Sequence, residues 1–174
     1  MHTGSHTVIR NTDPDDSVLL WPLYAGAAPR SALLDQRREP IRPTRAELRE
    51  IFTKIEPSAQ FFTVENRAGE LLGQCALRGI GREQSYAEAT LLLFDEALAA
   101  AAPGAEAAAF LKERAFRRLG LVKLVTHCLD TEGTMRAYWA AHGFVPCGTQ
   151  RDVLWANGRW HNQDVLSCFA PEYA

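Results

Sequence analysis

The chain is expected to fold as an α/β domain built on a mixed β-sheet. Three observations lead there: a length of 174 residues, a hydrophobic fraction of 47% with 23% charged residues, and an alternation of short apolar runs with helix-forming stretches along most of the chain. The length suits one domain that buries its own core without metal or disulfide staples. The composition is that of ordinary globular proteins and excludes disordered, collagen-like or coiled-coil chains.

In chain order, Met1 to Asp16 is polar with little that could pack, and reads as a flexible N-terminal arm ahead of the domain, which spans 17–174. Ser17 to Tyr24 (SVLLWPLY) has the apolar density of a first strand. Thr44 and Glu47 form a capping box, and Leu48, Ile51, Phe52 and Ile55 continue it as an amphipathic helix that stops at Pro57. Gln60 to Asn66 and Leu71 to Gly79, joined through Gly69, read as a β-hairpin. Tyr86 to Phe94 (YAEATLLLF) is polar at its start and apolar at its end, as a central strand facing a cleft with its first half would be.

A helix follows from Gly104 to Leu119, closed by Gly120. Leu121 to Leu129 is a buried strand and Thr131 to His142 a helix ending at Gly143. Asn157-Gly158 joins the last two strands as a tight hairpin. No repeat or linker interrupts this order.

The formal net charge of −2 excludes binding to polyanions through overall charge alone. No run approaches a membrane span and no apolar leader opens the chain, so no membrane partner and a cytoplasmic location are expected. Cys75, Cys128, Cys147 and Cys168 stand singly in apolar segments, without metal-ligand spacing, and read as small core residues; no metal is expected.

The C-terminal half carries Gly143-Phe144, Gly148, Arg151, Gly158 and Asp164 in order, ending near Pro171-Glu172-Tyr173, behind a helix with Glu106-Ala107 and Ala115-Phe116. With the order of elements, these residues resemble the GNAT acyltransferase superfamily, especially its branch of ribosomal-protein N-terminal acetyltransferases. The resemblance implies a single-domain GNAT fold with flanking helices and a splayed pair of central parallel strands. It implies transfer of an acyl group, usually acetyl, from an acyl-CoA thioester to a primary amine of a small molecule or peptide.

The splayed strands would be Tyr86 to Phe94 and Leu121 to Leu129. Their unpaired backbone would receive the pantetheine arm as an added strand. Backbone N–H groups of Leu92, Leu93 and Phe94 are candidates for holding the acyl carbonyl. The helix starting near Gly104 would point its free N–H groups at the pyrophosphate, which makes Ala102, Gly104 and Ala105 candidates for binding the cofactor.

Departures are concentrated at that end. The family's phosphate loop corresponds to Ala99 to Gly104, where only the final position is kept; Ala102 adds a Cβ and Pro103 removes a donor. A donor other than CoA, carried by an acyl carrier protein or a tRNA, is the alternative this opens, and a GNAT-like binding module without turnover is another. Glu132 stands where the family often has Asn contacting pantetheine, and Trp139 replaces its frequent Tyr, with Tyr138 one position earlier. Many relatives in this branch dimerise, and a homodimer is compatible with that.

An attacking amine must lose a proton, and the leaving thiolate must be stabilised. Glu88, on the polar half of its strand beside Tyr86 and Thr90, is the candidate base; the plainer reading is a salt-bridged glutamate. Tyr138 is the candidate acid, against a packed aromatic. His127 cannot pair with Cys128 as a nucleophilic dyad, because adjacent strand residues face opposite ways; it reads as a second candidate base or a satisfied histidine. Asp164 more simply fixes the final hairpin, and His142 and His161 are weaker candidates.

Lys112, Arg114, Arg117, Arg118 and Lys123 suit a helix C-terminus, with a phosphate-rich donor or tRNA as the alternative. Arg30, Arg37, Arg38, Arg42, Arg45 and Arg49 form a second basic stretch, where an anionic acceptor or RNA-bound donor would be met. Trp21, Tyr24, Trp155 and Trp160 are candidates for lining an acceptor pocket, or for core.

Overall fold

A computed structural model describes residues 1–26, 28–34, 39–54, 56–81, 83 and 85–173. Arg37 and Arg38 of the second basic stretch, and Ile55 of the expected helix, lie outside the described residues.

The N-terminal residues are not a free arm. Thr7–Asn11 alternates buried and half-exposed side chains, and this period of two is what a strand with one covered face requires. It forms β2, which pairs with a short β1 (His2–Thr3) on one side and with β3 (Gln60–Asn66) on the other. Ile9 is fully buried. The expected first strand is α1 (Ser17–Ala25). Its apolar run is leucine-rich rather than β-branched, which favours helix. Asp13 caps the turn Pro14–Asp16 that leads into it, and burial at Ser17, Leu20, Leu23 and Tyr24 follows the helical spacing that the surrounding apolar residues had masked.

The capping box of α2 (Arg45–Thr53) forms as expected, with Thr44 Oγ1 accepting from the Glu47 backbone and Glu47 accepting from Thr44 N at 2.7 Å. β3 and β4 (Leu71–Gly81) make the hairpin, and β4 continues into β5 (Tyr86–Leu93). α3 (Ala102–Lys112) begins two residues earlier than expected, because Pro103 is a first-turn residue rather than a stop. It runs on through a π-helical turn, Glu113–Arg118, to Gly120 at φ +66°. β6 (Lys123–Leu129), α4 (Gly133–Ala141), β7 (Val145–Ala156) and β8 (Arg159–Phe169) complete the chain. Asn157 and Gly158 both have positive φ, 52° and 76°, the primed turn expected of Asn-Gly.

Among the described residues the strands form one sheet in the order β1-β2-β3-β4-β5-β6-β8-β7. One face packs under α3 and α4, where Ala87, Ala89, Leu91 and Leu93 of β5 meet Ala107, Leu111 and Trp139. The other face packs under α1 and α2 through Leu20, Leu23, Leu48, Phe52 and Leu92. Cys75, Cys128 and Cys168 are buried as expected, whereas Cys147 is exposed on β7. Among the described residues no helix is long and apolar enough to cross a membrane.

Candidate active site

β5 and β6 run parallel and pair only at their starts: Tyr86 with Lys123, Ala87 with Leu124, Glu88 with Val125. Both strands continue, to Leu93 and Leu129, but the ladder does not. The register sets Glu88 level with Val125, and His127, two residues on, projects from the same face. Glu88 Oε1 and His127 Nδ1 meet at 3.0 Å across the mouth of the splay, with side chains 23% and 14% exposed. Ala32, Thr90, Glu132 and Trp139 line the small pocket around the pair. Both residues stand out in the sequence, but separately; strand parity combined with a parallel register is the signal that joins them. Cys128 is on the opposite face in the core, where burial pushes its thiol up to about 12.

The expected backbone donors divide. Phe94 N–H is bonded to Leu72 O at 3.1 Å and is spent on β4. In an antiparallel ladder, donors point alternately toward and away from the partner, so Leu92 faces β4 while Leu91 and Leu93 turn their backbone groups toward the splay. Of the three candidates, Leu93 is the one placed to meet a ligand.

At the start of α3, Ala101 gives no side-chain cap. The Ala105 N–H is taken by Ala101 O at 3.2 Å, and Pro103 has none. Ala102 and Gly104 therefore supply the first-turn donors. An ideal Cβ on Gly104 would lie 2.3 Å from Ala99 O. Its glycine thus serves the packing of α3 against the turn Glu96–Ala100.

Tyr138 is 4% exposed and donates its hydroxyl to Gly104 O at 3.0 Å. Its ring packs against Trp139 and His142, and burial, with Cys75 nearby, raises its pKa further. That hydroxyl bond ties α4 to the start of α3, and Trp139, not Tyr138, is among the residues lining the pocket around Glu88. Glu132 precedes α4 without capping it; its Oε2 accepts from Leu129 N at 2.8 Å and Ser31 N at 3.0 Å.

Most of the remaining candidates have local partners. Asp164 accepts from Thr149 Oγ1 at 2.7 Å and pairs with Arg136 at 2.9 Å, fixing the hairpin to α4. His161 is buried between Asp130 and Ala156 O. His142 lies over Tyr138, its pKa lowered by burial and by Lys112. Lys112 bonds His142 O, and Arg114 bonds Gln60. Arg30 pairs with Glu96 and Arg49 with Asp15, while Arg45 lies over the Trp21 ring. Tyr24 bonds Gln74. Trp155 and Trp160 meet edge to face at the exposed hairpin end and are not among the residues lining the pocket.

The residues fit an acyl-pantetheine arm along the splay, where β5 offers strand-like backbone. They fit a pyrophosphate more sparsely, through an uncapped helix start with two donors. Among the described residues no group of three or more His, Cys, Asp or Glu is placed to hold a metal ion.

Residues 34–165 match the model of the acetyltransferase (GNAT) domain. No curated protein matches the sequence significantly. Solved structures of similar fold include a point mutant of spermidine N-acetyltransferase SpeG from Vibrio cholerae, with TM-score 0.82, 20% identity, and coverage of 98% of this chain and 97% of that one. A chimera of Vibrio cholerae SpeG and hSSAT gives TM-score 0.82 and 20% identity over 97% and 98%. A dodecameric structure of the Vibrio cholerae enzyme gives 0.81 and 20% over 98% and 97%.

Proposed function

Because the chain belongs to the GNAT acetyltransferase family, we propose that it transfers an acyl group, in the simplest case acetyl from acetyl-CoA, to a primary amine of a small molecule or peptide. The observation that carries this reading is the 3.0 Å contact of Glu88 with His127 at the point where β5 and β6 part. Bound acetyl-CoA would supply the thioester. Leu91 and Leu93 would line its arm with backbone, and Ala102 and Gly104 would direct first-turn N–H groups at its phosphates. The Glu88–His127 pair would take the proton that the attacking amine sheds as the C–N bond forms and the C–S bond breaks.

Small amines are favoured as acceptors by the SpeG structures, which are spermidine N-acetyltransferases, so polyamines head the amines to be screened. Placement near the ribosomal-protein branch rests on the C-terminal motif alone. One SpeG structure is dodecameric, which supports self-association of this chain, at least as a homodimer. The alanine-rich start of α3 favours a second reading of the same groove, in which the pantetheine thioester is carried by a protein rather than by CoA.

Calorimetric titration with acetyl-CoA, followed by an amine screen, tests the proposal. Micromolar binding, about 8 kcal/mol, and amine-dependent acetylation are expected. No binding of acetyl-CoA would overturn the CoA reading in favour of the carrier-protein donor; binding without acetylation of any amine would leave a binding module.

A further inference from the structure

We propose that Glu132 is a positioning residue that couples filling of the donor groove to opening of the acceptor pocket, through the segment Ser31–Leu34. This rests on the acyl-pantetheine reading of the groove. The segment lies over the catalytic face of β5 and β6, and its Ala32 lines the pocket above Glu88 and His127. Three side chains hold it there. Arg78, from β4, donates to Ala32 O at 2.8 Å and to Leu34 O at 3.2 Å. Gln163, from β8 and fully buried, donates to Ser31 Oγ at 3.2 Å. Glu132 accepts from Ser31 N at 3.0 Å. Leu34 adds an apolar anchor against Leu129 and Leu154.

The same Glu132 oxygen accepts from Leu129 N at 2.8 Å. Leu129 lies opposite Gln163 in the β6–β8 ladder. A strand has only two in-plane directions for its donors, so an N–H not given to β8 points to the β5 side, into the splay. Glu132 therefore occupies a backbone donor on the groove wall that an added strand-like arm would use. One carboxylate oxygen thus serves the donor groove and the strap together.

An arm that takes Leu129 N–H displaces the Glu132 carboxylate and releases Ser31. The strap loosens and the pocket over Glu88 and His127 opens. The coupling is reciprocal: a strap held closed weakens donor binding by the same factor.

Hydrogen exchange across Ser31–Leu34 tests this in the full chain, with CoA as the probe and calorimetry alongside. In the wild type, saturating CoA is expected to accelerate exchange of the strap amides about tenfold, the size of a modest allosteric coupling. In Glu132→Ala the strap is expected to exchange fast without CoA, to respond little to it, and to bind CoA several-fold more tightly. Arg78→Ala is the control that frees the strap from its other side: fast exchange with the Glu132–Leu129 bond intact. Slow strap exchange in donor-free Glu132→Ala would overturn the latch whatever the donor. A wild type that binds CoA without faster strap exchange would overturn the coupling. Failure of CoA to bind either protein would remove the donor reading and the coupling with it, while fast exchange in donor-free Glu132→Ala would still identify the latch.

Discussion

The two ends of the groove are made differently. At the splay, side chains face the groove: Glu88 and His127 arrive from two strands and meet at 3.0 Å. At the start of α3, what can hold a ligand is backbone, two N–H groups on a turn made almost wholly of alanine. The proposed function asks for particular residue types at the first end; at the second it asks for a helix start that is left uncapped and close-packed. Sequence can therefore drift much further at the α3 end than at the splay without removing the means of binding.

The largest expected effect breaks the splay end. Glu88→Gln lowers kcat/KM by about 10²- to 10⁴-fold, the usual worth of a positioned base, and His127→Ala falls in the same range. Steady-state acetylation of the best amine checks this, with CoA affinity expected to stay within a few-fold of wild type.

Next comes packing at the α3 end. Gly104→Ala drives a Cβ to 2.3 Å from the backbone Ala99 O, an overpacking that costs up to about 3 kcal/mol and exceeds the gain from the helix propensity of alanine, at most about 1 kcal/mol. Thermal denaturation is expected to show a lowered midpoint, and unchanged stability would refute the close approach.

A third effect concerns how α3 is tied to the N-terminal strands. Glu106 loses solvent on α3, yet bonds from the Thr7 hydroxyl, the His6 ring and both backbones outweigh that cost and hold its carboxyl at about 2. A folded value below the ordinary ~4.3 of glutamate means the contribution is full above that pH and drains away as pH falls toward 2. Protection factors of the Thr7–Asn11 amides, with the pH dependence of intrinsic exchange removed, should fall through this window in the wild type, and Glu106→Gln should flatten the dependence.

The smallest expected effect is on the phosphate seat. Ala102→Gly removes the Cβ that keeps a ligand from the first turn, and CoA binding should tighten by only a few-fold, read by calorimetry. A gain of a hundredfold would show that the residue type, and not the helix start, governs that end.

How much of this was legible in the sequence follows the same division. The hairpin of β3 and β4, the capping box at Thr44 and the Asn157-Gly158 turn announce themselves, because their residues fix local geometry. The gradient in Tyr86 to Phe94 locates the cleft. α1 was hidden because Ser17 to Tyr24 is apolar nearly all round, so its buried helical stripe leaves no period to read. β2 was hidden because its polar neighbours outweigh five residues of alternation. Glu88 was legible as a residue and His127 as a lesser one, but their pairing depends on a register between strands that no local pattern encodes. Tyr138 and Glu132 sit at positions the resemblance singles out, yet the hydroxyl turns to Gly104 and the carboxylate to Leu129 and Ser31. Those orientations follow from packing, which only the folded chain decides.

The proposed coupling of Glu88 and His127 makes them one proton-accepting unit. Its most direct test is a double-mutant cycle on initial rates of amine acetylation in wild type, Glu88→Gln, His127→Ala and the double variant. The acetylated amine should be quantified by mass spectrometry, since exposed Cys147 would react with thiol reagents. Groups that work as a unit are strongly non-additive, so the double variant should be no slower than the slower single variant. Losses that simply multiply would contradict the account.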